Sequence, residues 1–311
     1  MKAIEVKNLK KTFDNTQAVQ GISFDITQGQ IFSLLGPNGA GKTTTISILS
    51  TLLKPDSGSV TLMGYDLKQE TSKAKACLGV VPQDIALYED LTAAENLNFW
   101  GKMYGLRGNL LKKRIQVVLE MIGLDDRKNE RVGKYSGGMK RRVNIGVALL
   151  HNPKILFMDE PTVGIDPQSR RHILDSIKLL NQQGMTVLYT THYMEEAQEL
   201  SDQIAIMDKG RIIAMGTQAE LIKIVGQSDR LTIEIDKDHS QIMDLWQSVP
   251  GVQKISGVNG SLDLLAEDSN QVLPRLFEIA AVNNTRITAI NIQEPNLEAV
   301  FLHLTGKALR D

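Results

Sequence analysis

The sequence predicts an α/β fold with a mixed, largely parallel sheet, followed by a small α+β domain. Three observations predict it. Short apolar runs with the length of buried strands alternate with segments of helical periodicity. A glycine-rich stretch, Gly36 to Thr44, lies between one such run and a helical segment, as in a strand–loop–helix unit. The last quarter of the chain carries elements in the order β-α-β-β-α-β, the ferredoxin-like arrangement.

The elements follow in chain order. Ala3–Leu9 and Ile22–Ile26 read as strands of an antiparallel β-subdomain around Phe13. Gln30 to Leu35 suits a buried parallel strand, and Thr43 to Leu53 repeats apolar residues at helical spacing. From Tyr88 to about Leu149 the pattern is mostly helical, punctuated by Gly101, Gly105 and Gly108, with Leu110 to Ile122 amphipathic. Lys154–Met158 and Thr186–Tyr189 are further buried-strand runs. Strands near Ile204–Met207 and Arg211–Ala214 and a helix around Gln218–Val225 complete a first domain, residues 1–226. A second is expected over residues 229–306. Its strands are Leu231–Ile235, Val252–Val258, Ser261–Ala266 and Arg286–Ile292, and its helices Ser240–Val249, Gln271–Val282 and Asn296–Leu304. Asn259-Gly260 between its middle strands is a strong hairpin turn signal. No loop there carries phosphate or metal chemistry, so the tail reads as a packing or regulatory module.

The chemistry concentrates in the first domain. Gly36-Pro37-Asn38-Gly39-Ala40-Gly41-Lys42-Thr43-Thr44 fits G-x-x-x-x-G-K-[ST] in full. Its glycines let the backbone turn around phosphate oxygens and aim N–H groups at them, and the following helix adds its positive end. Lys42 suits β- and γ-phosphates, and the Thr43 hydroxyl suits Mg²⁺. Asp159-Glu160 ends a buried strand. The first carboxylate can hold Mg²⁺ through water, and the second can take a proton from an attacking water. Ser136-Gly137-Gly138 opens a helical stretch, so it offers a hydroxyl, bare N–H groups and a helix dipole to a phosphate. His192 follows the strand Thr186–Tyr189 and can reach a γ-phosphate from a strand end. Gln83, in Val80-Val81-Pro82-Gln83-Asp84, is a polar loop residue after another short strand.

Taken in this order, the motifs resemble the ATP-binding subunit of ATP-binding-cassette (ABC) transporters, over roughly Ala3 to Gly226. The implied fold is a P-loop NTPase of the ABC-ATPase type, with mixed-sheet core, antiparallel β-subdomain and helical subdomain at about residues 88–150. The resemblance makes Gly36–Thr44 the phosphate loop and Gln83 the Q-loop residue, which joins Thr43 and Asp159 around Mg²⁺. Tyr135-Ser136-Gly137-Gly138-Met139 matches the signature, Glu160 the catalytic glutamate, Asp166 in Gly164-Ile165-Asp166-Pro167 the D-loop, and His192 the switch histidine. Phe13 stands where the family stacks an aromatic on adenine. The signature usually reads Leu-Ser-Gly-Gly-Gln, so Tyr135 and Met139 depart at its ends, and Ile165 replaces a usual Leu. The ending Glu294 to Gly306 is close to that of multidrug and antibiotic exporter ATPases, which favours export. The implied partners are a second copy of the chain, paired head to tail, and a transmembrane permease that Leu91 to Leu97 would meet.

Bulk properties agree. At 311 residues the chain suits two domains. A net charge of −1 gives no electrostatic case for nucleic acid. Lys140-Arg141-Arg142 reads as a solvated helix face with contacts around the signature. Cys77 is the only cysteine, which excludes an internal disulfide and suits a reducing cytoplasm. No apolar run approaches the roughly 18–20 residues of a membrane span, and Met1 to Glu5 shows no signal peptide. The expected location is cytoplasmic, peripheral at the membrane through the permease. The alternatives are an importer ATPase, a soluble ABC ATPase without a transport role, or a module that binds ATP without hydrolysis. Translation types carry two cassettes, and only one phosphate loop is present here. Repair types insert a long coiled coil, and the stretch from Thr44 to Tyr135 lacks sustained heptads. Intact Glu160 and His192 argue against the non-hydrolysing module.

Overall fold

Two twelve-residue strands, β1 (Lys2–Phe13) and β2 (Thr16–Thr27), open the chain as an antiparallel hairpin. They pair with β4 (Ser57–Leu62) and β5 (Tyr65–Asp66) in a four-stranded sheet ordered β2-β1-β4-β5. The computed structural model describes residues 1–226, 228–236, 240–258, 261–293 and 296–306. The Asn259-Gly260 turn and the Glu294-Pro295 pair lie outside the described residues. Among the described residues the chain forms two compact units, one over Met1–Gln218 and one from Ala219 to Gly306.

The first unit is organised by a six-stranded sheet. Its strands are β3 (Ile31–Leu35), β6 (Leu78–Val81), β7 (Ile155–Asp159), β8 (Thr186–Thr191), β9 (Gln203–Asp208) and β10 (Arg211–Gly216). The order is β10-β9-β3-β8-β7-β6, parallel except for β10 against β9. Alternate residues of β7 enter opposite cores. Leu156 and Met158 face one cluster with Val143, Ile173 and Tyr189, while Ile155 and Phe157 face another with Ile4, Phe24 and Leu49. A parallel strand covered on both faces is apolar at every position, hence the continuous runs in the sequence.

Helix α1 (Lys42–Leu49) follows β3. It does not reach Leu53, because Thr51 takes a left-handed conformation (φ 66°) and Leu52 and Leu53 both donate back to the Ser47 carbonyl. Helix α2 (Thr71–Ala76) precedes β6, and the half-buried Cys77 lies at its C-terminal cap. The expected helical region contains α3 (Ala93–Met103), α4 (Gly108–Met121) and α5 (Gly137–Leu149). A capping box starts α3, with Thr92 accepting from the Glu95 N–H and Glu95 from the Thr92 N–H. Helices α6 (Pro167–Gln182) and α7 (Met194–Leu200) flank β8, and α8 (Gln218–Ile222) follows β10.

The second unit contains β11 (Asp229–Ile235), α9 (Ser240–Gln247), β12 (Val252–Val258), β13 (Ser261–Ala266), α10 (Ser269–Val282), β14 (Ile287–Gln293) and α11 (Leu297–Thr305). Its sheet is ordered β12-β13-β11-β14 and is antiparallel throughout, as the ferredoxin-like connectivity requires. Leu231, Ile233, Leu262 and Leu264 bury one face of that sheet against Trp246 and Leu276. The Trp246 indole N–H donates to the Leu276 carbonyl at 3.2 Å.

Candidate nucleotide site

Three strands end at one place. The loop after β3 is Gly36 to Gly41, β7 ends at Asp159, and β8 ends at Thr191. Ligands of open α/β sheets bind at such carboxyl ends. Gly41 has φ 103°, and a Cβ there would run into the Ala18 carbonyl, so strain and crowding both require glycine. A cavity of about 730 Å³ lies over the loop. It is lined by Asn38, Gly39, Gly41, Lys42, Thr43, Thr44, Gln83, Glu160 and part of the β1–β2 hairpin.

Lys42 is 3% exposed, and its ammonium is enclosed by acceptors. It donates to the carbonyls of Gly36 (2.7 Å) and Pro37 (3.0 Å) and pairs with Glu160 Oε1 at 3.0 Å. The second Glu160 oxygen lies 3.1 Å from His192 Nδ1. Glu160 thus joins the phosphate-loop lysine to the residue following β8. Its backbone is strained, with φ 44°, and is held by its N–H donating to the Thr190 hydroxyl (3.0 Å). Strain of this kind persists only where surrounding bonds impose it.

Asp159 Oδ1 accepts from Thr190 (2.7 Å) and from Thr43 (3.3 Å). Burial pushes its carboxyl above the ordinary carboxylate range, against those two hydrogen bonds. Thr43 and Gln83 line the cavity and the Thr43 hydroxyl donates to Asp159, so hydroxyl, amide and carboxylate oxygens are the donor types at hand. Such a set fits Mg²⁺, which keeps several waters and takes further ligands from substrate phosphates.

Other expected residues stand apart. Ser136 and Gly137 are exposed and, like Gly138, do not line the cavity. Ser136 Oγ caps α5 by accepting from the Met139 N–H at 3.2 Å. A Cβ on Gly138 would collide with Ser169, whereas one on Gly137 would meet only Ile165 at 3.7 Å. Asp166 caps α6, accepting from the Ser169 N–H at 2.9 Å, and that bond holds its carboxyl below the ordinary range. Phe13 is 42% exposed at the hairpin end, with the Lys11 ammonium 5.4 Å from its ring. It does not line the cavity, although Asn15 to Ala18 do.

The basic run departs from its solvated reading. Lys140 reaches Glu89, and Arg142 donates to the Ile122 carbonyl at the end of α4. Arg141 is buried among backbone carbonyls. Sequence reasoning also missed Glu196, which is 2% exposed. It accepts from Thr162 (2.7 Å), Tyr189 (2.8 Å) and Thr191 (2.9 Å), the last being the residue before His192. The only local signal for it is an acid on the inner face of a short helix.

Comparison with known proteins agrees with this geometry. The family model described as ABC transporter matches residues 19–163. The linearmycin resistance ATP-binding protein LnrL of Bacillus subtilis (strain 168) is 47% identical over 310 residues, covering 99% of this chain and 100% of that protein. The chain belongs to the ABC transporter family. Another ABC relative, the Nod factor export ATP-binding protein I of Ralstonia nicotianae, is 36% identical across 99% of this chain and 95% of its own length. Among solved structures, the dimeric post-hydrolysis state of the ATP-binding cassette MJ0796 bound to ADP and Pi matches with a TM-score of 0.63. It has 29% identity and covers 69% of this chain and 98% of that one. The chain is therefore an ABC ATPase subunit of the exporter type, and it binds and hydrolyses ATP. Among the described residues no helix is long and apolar enough to cross a membrane.

Proposed function

We propose that two copies of this ATPase close head to tail over two ATP molecules and thereby drive a separate transmembrane permease. The observation that carries this reading is the split of the phosphate-binding groups. Lys42, Thr43 and Glu160 line one cavity, with Asp159 bonded to Thr43 and His192 to Glu160, while Ser136 and Gly137 stand exposed outside it. A second copy can supply the missing wall. Serine hydroxyl, glycine N–H groups and the N-terminus of α5 would then face the γ-phosphate of the partner's ATP. The dimeric state of the MJ0796 cassette supports the pairing of two copies.

In this reading the phosphate loop from Gly36 to Thr44 wraps the phosphates, and Lys42 neutralises the β- and γ-groups. Glu160 takes a proton from the attacking water, and His192 orients Glu160 and the γ-phosphate. Thr43, Gln83 and, through water, Asp159 hold Mg²⁺, which when bound neutralises phosphate charge. Phe13 stacks on adenine, and Asp166 at the start of α6 faces the partner. The partner copy's contacts to the γ-phosphate exist only in the closed dimer, so its removal shifts the population back to the open form. Residues 1–226 carry all of this chemistry, and residues 229–306 tune the dimer or its coupling. The Gln83 and Leu91–Leu97 regions meet the permease at the inner face of the membrane. The resistance role named for LnrL supports an antibiotic-like small molecule as cargo.

The composite site is tested by mixing two inactive variants, Lys42→Ala and Gly137→Asp. The aspartate places a negative charge where phosphate must approach, and the room beside Gly137 keeps the fold intact. A head-to-tail heterodimer then holds one doubly damaged and one intact site. An equal mixture should recover at most about a quarter of wild-type turnover, the value for one intact, independent site in the half of dimers that are mixed. A mixture as inactive as its components would refute the arrangement.

A further inference from the structure

Arg141 lies one turn into α5, close after Ser136-Gly137-Gly138, and is 4% exposed. Its guanidinium donates through Nη1 to the Pro82 carbonyl (2.8 Å) and through Nη2 to the Gln83 carbonyl (2.6 Å). Asp84, Tyr189 and Asp159 act on it only over a distance, and among the described residues no carboxylate pairs with it within 4 Å. The third donor, Nε, has no partner. A buried cation balanced by two carbonyls is a costly way to fill space, because an apolar residue of similar volume would pack there without desolvating a charge. What the guanidinium does supply is a rigid fork, which holds two consecutive carbonyls in fixed geometry as no lysine can.

Those carbonyls lie just beyond β6, and the Gln83 side chain lines the nucleotide cavity. The other end of the link is the exposed start of α5. Helix α5 is buried along most of its length, so it moves as one body with the segment it presents. The two neighbouring basic residues do other work: Lys140 pairs with Glu89 at the surface, and Arg142 caps the end of α4.

We infer that Arg141 is a positioning residue that couples Gln83 in the chain's own ATP site to the Ser136–Gly138 segment offered to the partner's site. The inference rests on the head-to-tail reading. In such a dimer each Arg141 links the two ATP sites through one chain, and ATP in one site helps to assemble the other. Coupling of this kind appears as cooperativity in ATP concentration.

The test uses the full chain with Arg141→Gln, Arg141→Lys and, as a control for lost packing, Arg142→Gln. Turnover against ATP concentration, fluorescent-ATP binding and thermal melting are measured on each. Wild type should show a Hill coefficient rising from about 1 toward 2, the number of sites. Arg141→Gln should return it to about 1 and lower maximal turnover about tenfold, within the usual range of coupling between sites. Its ATP affinity should change less than about threefold, as expected when only coupling is lost. Arg141→Lys keeps the charge but not the fork, gives a second variant to read if the glutamine one does not fold, and should also lose cooperativity. Arg142→Gln should lower the melting temperature and leave the Hill coefficient unchanged. A folded Arg141 variant with wild-type cooperativity, or equal loss in the Arg142 control, overturns the coupling while the dimer stands. A wild type that neither dimerises with ATP nor shows cooperativity overturns the head-to-tail reading and the coupling with it.

Discussion

Replacing Glu160 by glutamine changes one oxygen for an amide and removes one charge from the centre of the site. The structure sets what that does. Glu160 is buried and touches Lys42 at 3.0 Å and His192 at 3.1 Å. A glutamine oxygen can still accept from Lys42, whose ammonium also keeps the carbonyls of Gly36 and Pro37. The variant therefore escapes the cost of about 3–5 kcal/mol that follows when one partner of a buried ion pair is deleted outright. Its melting temperature should stay close to wild type. What disappears is the group able to accept a proton from water. Loss of a general base lowers turnover about 10²–10⁴-fold. At about 1.4 kcal/mol per decade, the barrier rises by about 3–5.5 kcal/mol. ATP binding should tighten, because a negative charge near the phosphates has gone. The uncleaved γ-phosphate should then hold two copies together. Phosphate release under single-turnover conditions measures the first effect, and size-exclusion chromatography with ATP and Mg²⁺ measures the second. A folded variant that keeps more than about a tenth of wild-type turnover would show that Glu160 is not the base, since that loss is far below the expected range.

Lys42→Ala should abolish tight ATP binding and lower the melting temperature, because it leaves Glu160 buried without its cation. Its circular dichroism spectrum at room temperature should stay that of a folded chain, and wild-type ATPase activity in the purified variant would contradict the site. Gly41→Ala should be inactive and destabilised by more than about 1 kcal/mol, because φ 103° is strained for alanine and its Cβ meets the Ala18 carbonyl. Nucleotide titration with normal binding would count against the close wrap of the loop. A chain ending after Gly226 should still bind ATP but lose dimer lifetime or coupling to transport. If the folded truncation no longer binds nucleotide, residues 229–306 belong to the site. Chelation of Mg²⁺ should stop turnover and leave the fold intact by circular dichroism, whereas undiminished hydrolysis in chelator would remove Thr43, Gln83 and Asp159 from their proposed role.

Much of the fold was legible because its signals are local. Doubly buried strands such as β7 are apolar throughout, and the phosphate loop writes its backbone needs into adjacent glycines. Element ends were less legible. Helix α1 stops early because Thr51 turns left-handed, a choice that threonine composition does not announce. Within the site, strand ends showed where Asp159, Glu160 and His192 would gather, but not which would touch. The contact between Lys42 and Glu160 joins segments far apart in sequence and depends on how β3 and β7 flank β8. Arg141 was misread for the same reason. A basic triplet looks solvated until the carbonyls of Pro82 and Gln83 are placed against its middle member.

The Lys42–Glu160 pair turns substrate binding into an exchange reaction. Glu160 occupies the ammonium with a carboxylate, as a phosphate oxygen would, so the protein carries an internal competitor for its own substrate. A nucleotide that lacks the γ-phosphate meets Lys42 through its β-phosphate alone and leaves more of that competitor in place. One whose γ-phosphate reaches it releases the carboxylate, and the released carboxylate is the proposed base. Discrimination between triphosphate and diphosphate, and readiness to cleave, would then come from a single event: the same three-ångström contact cannot be kept by both anions.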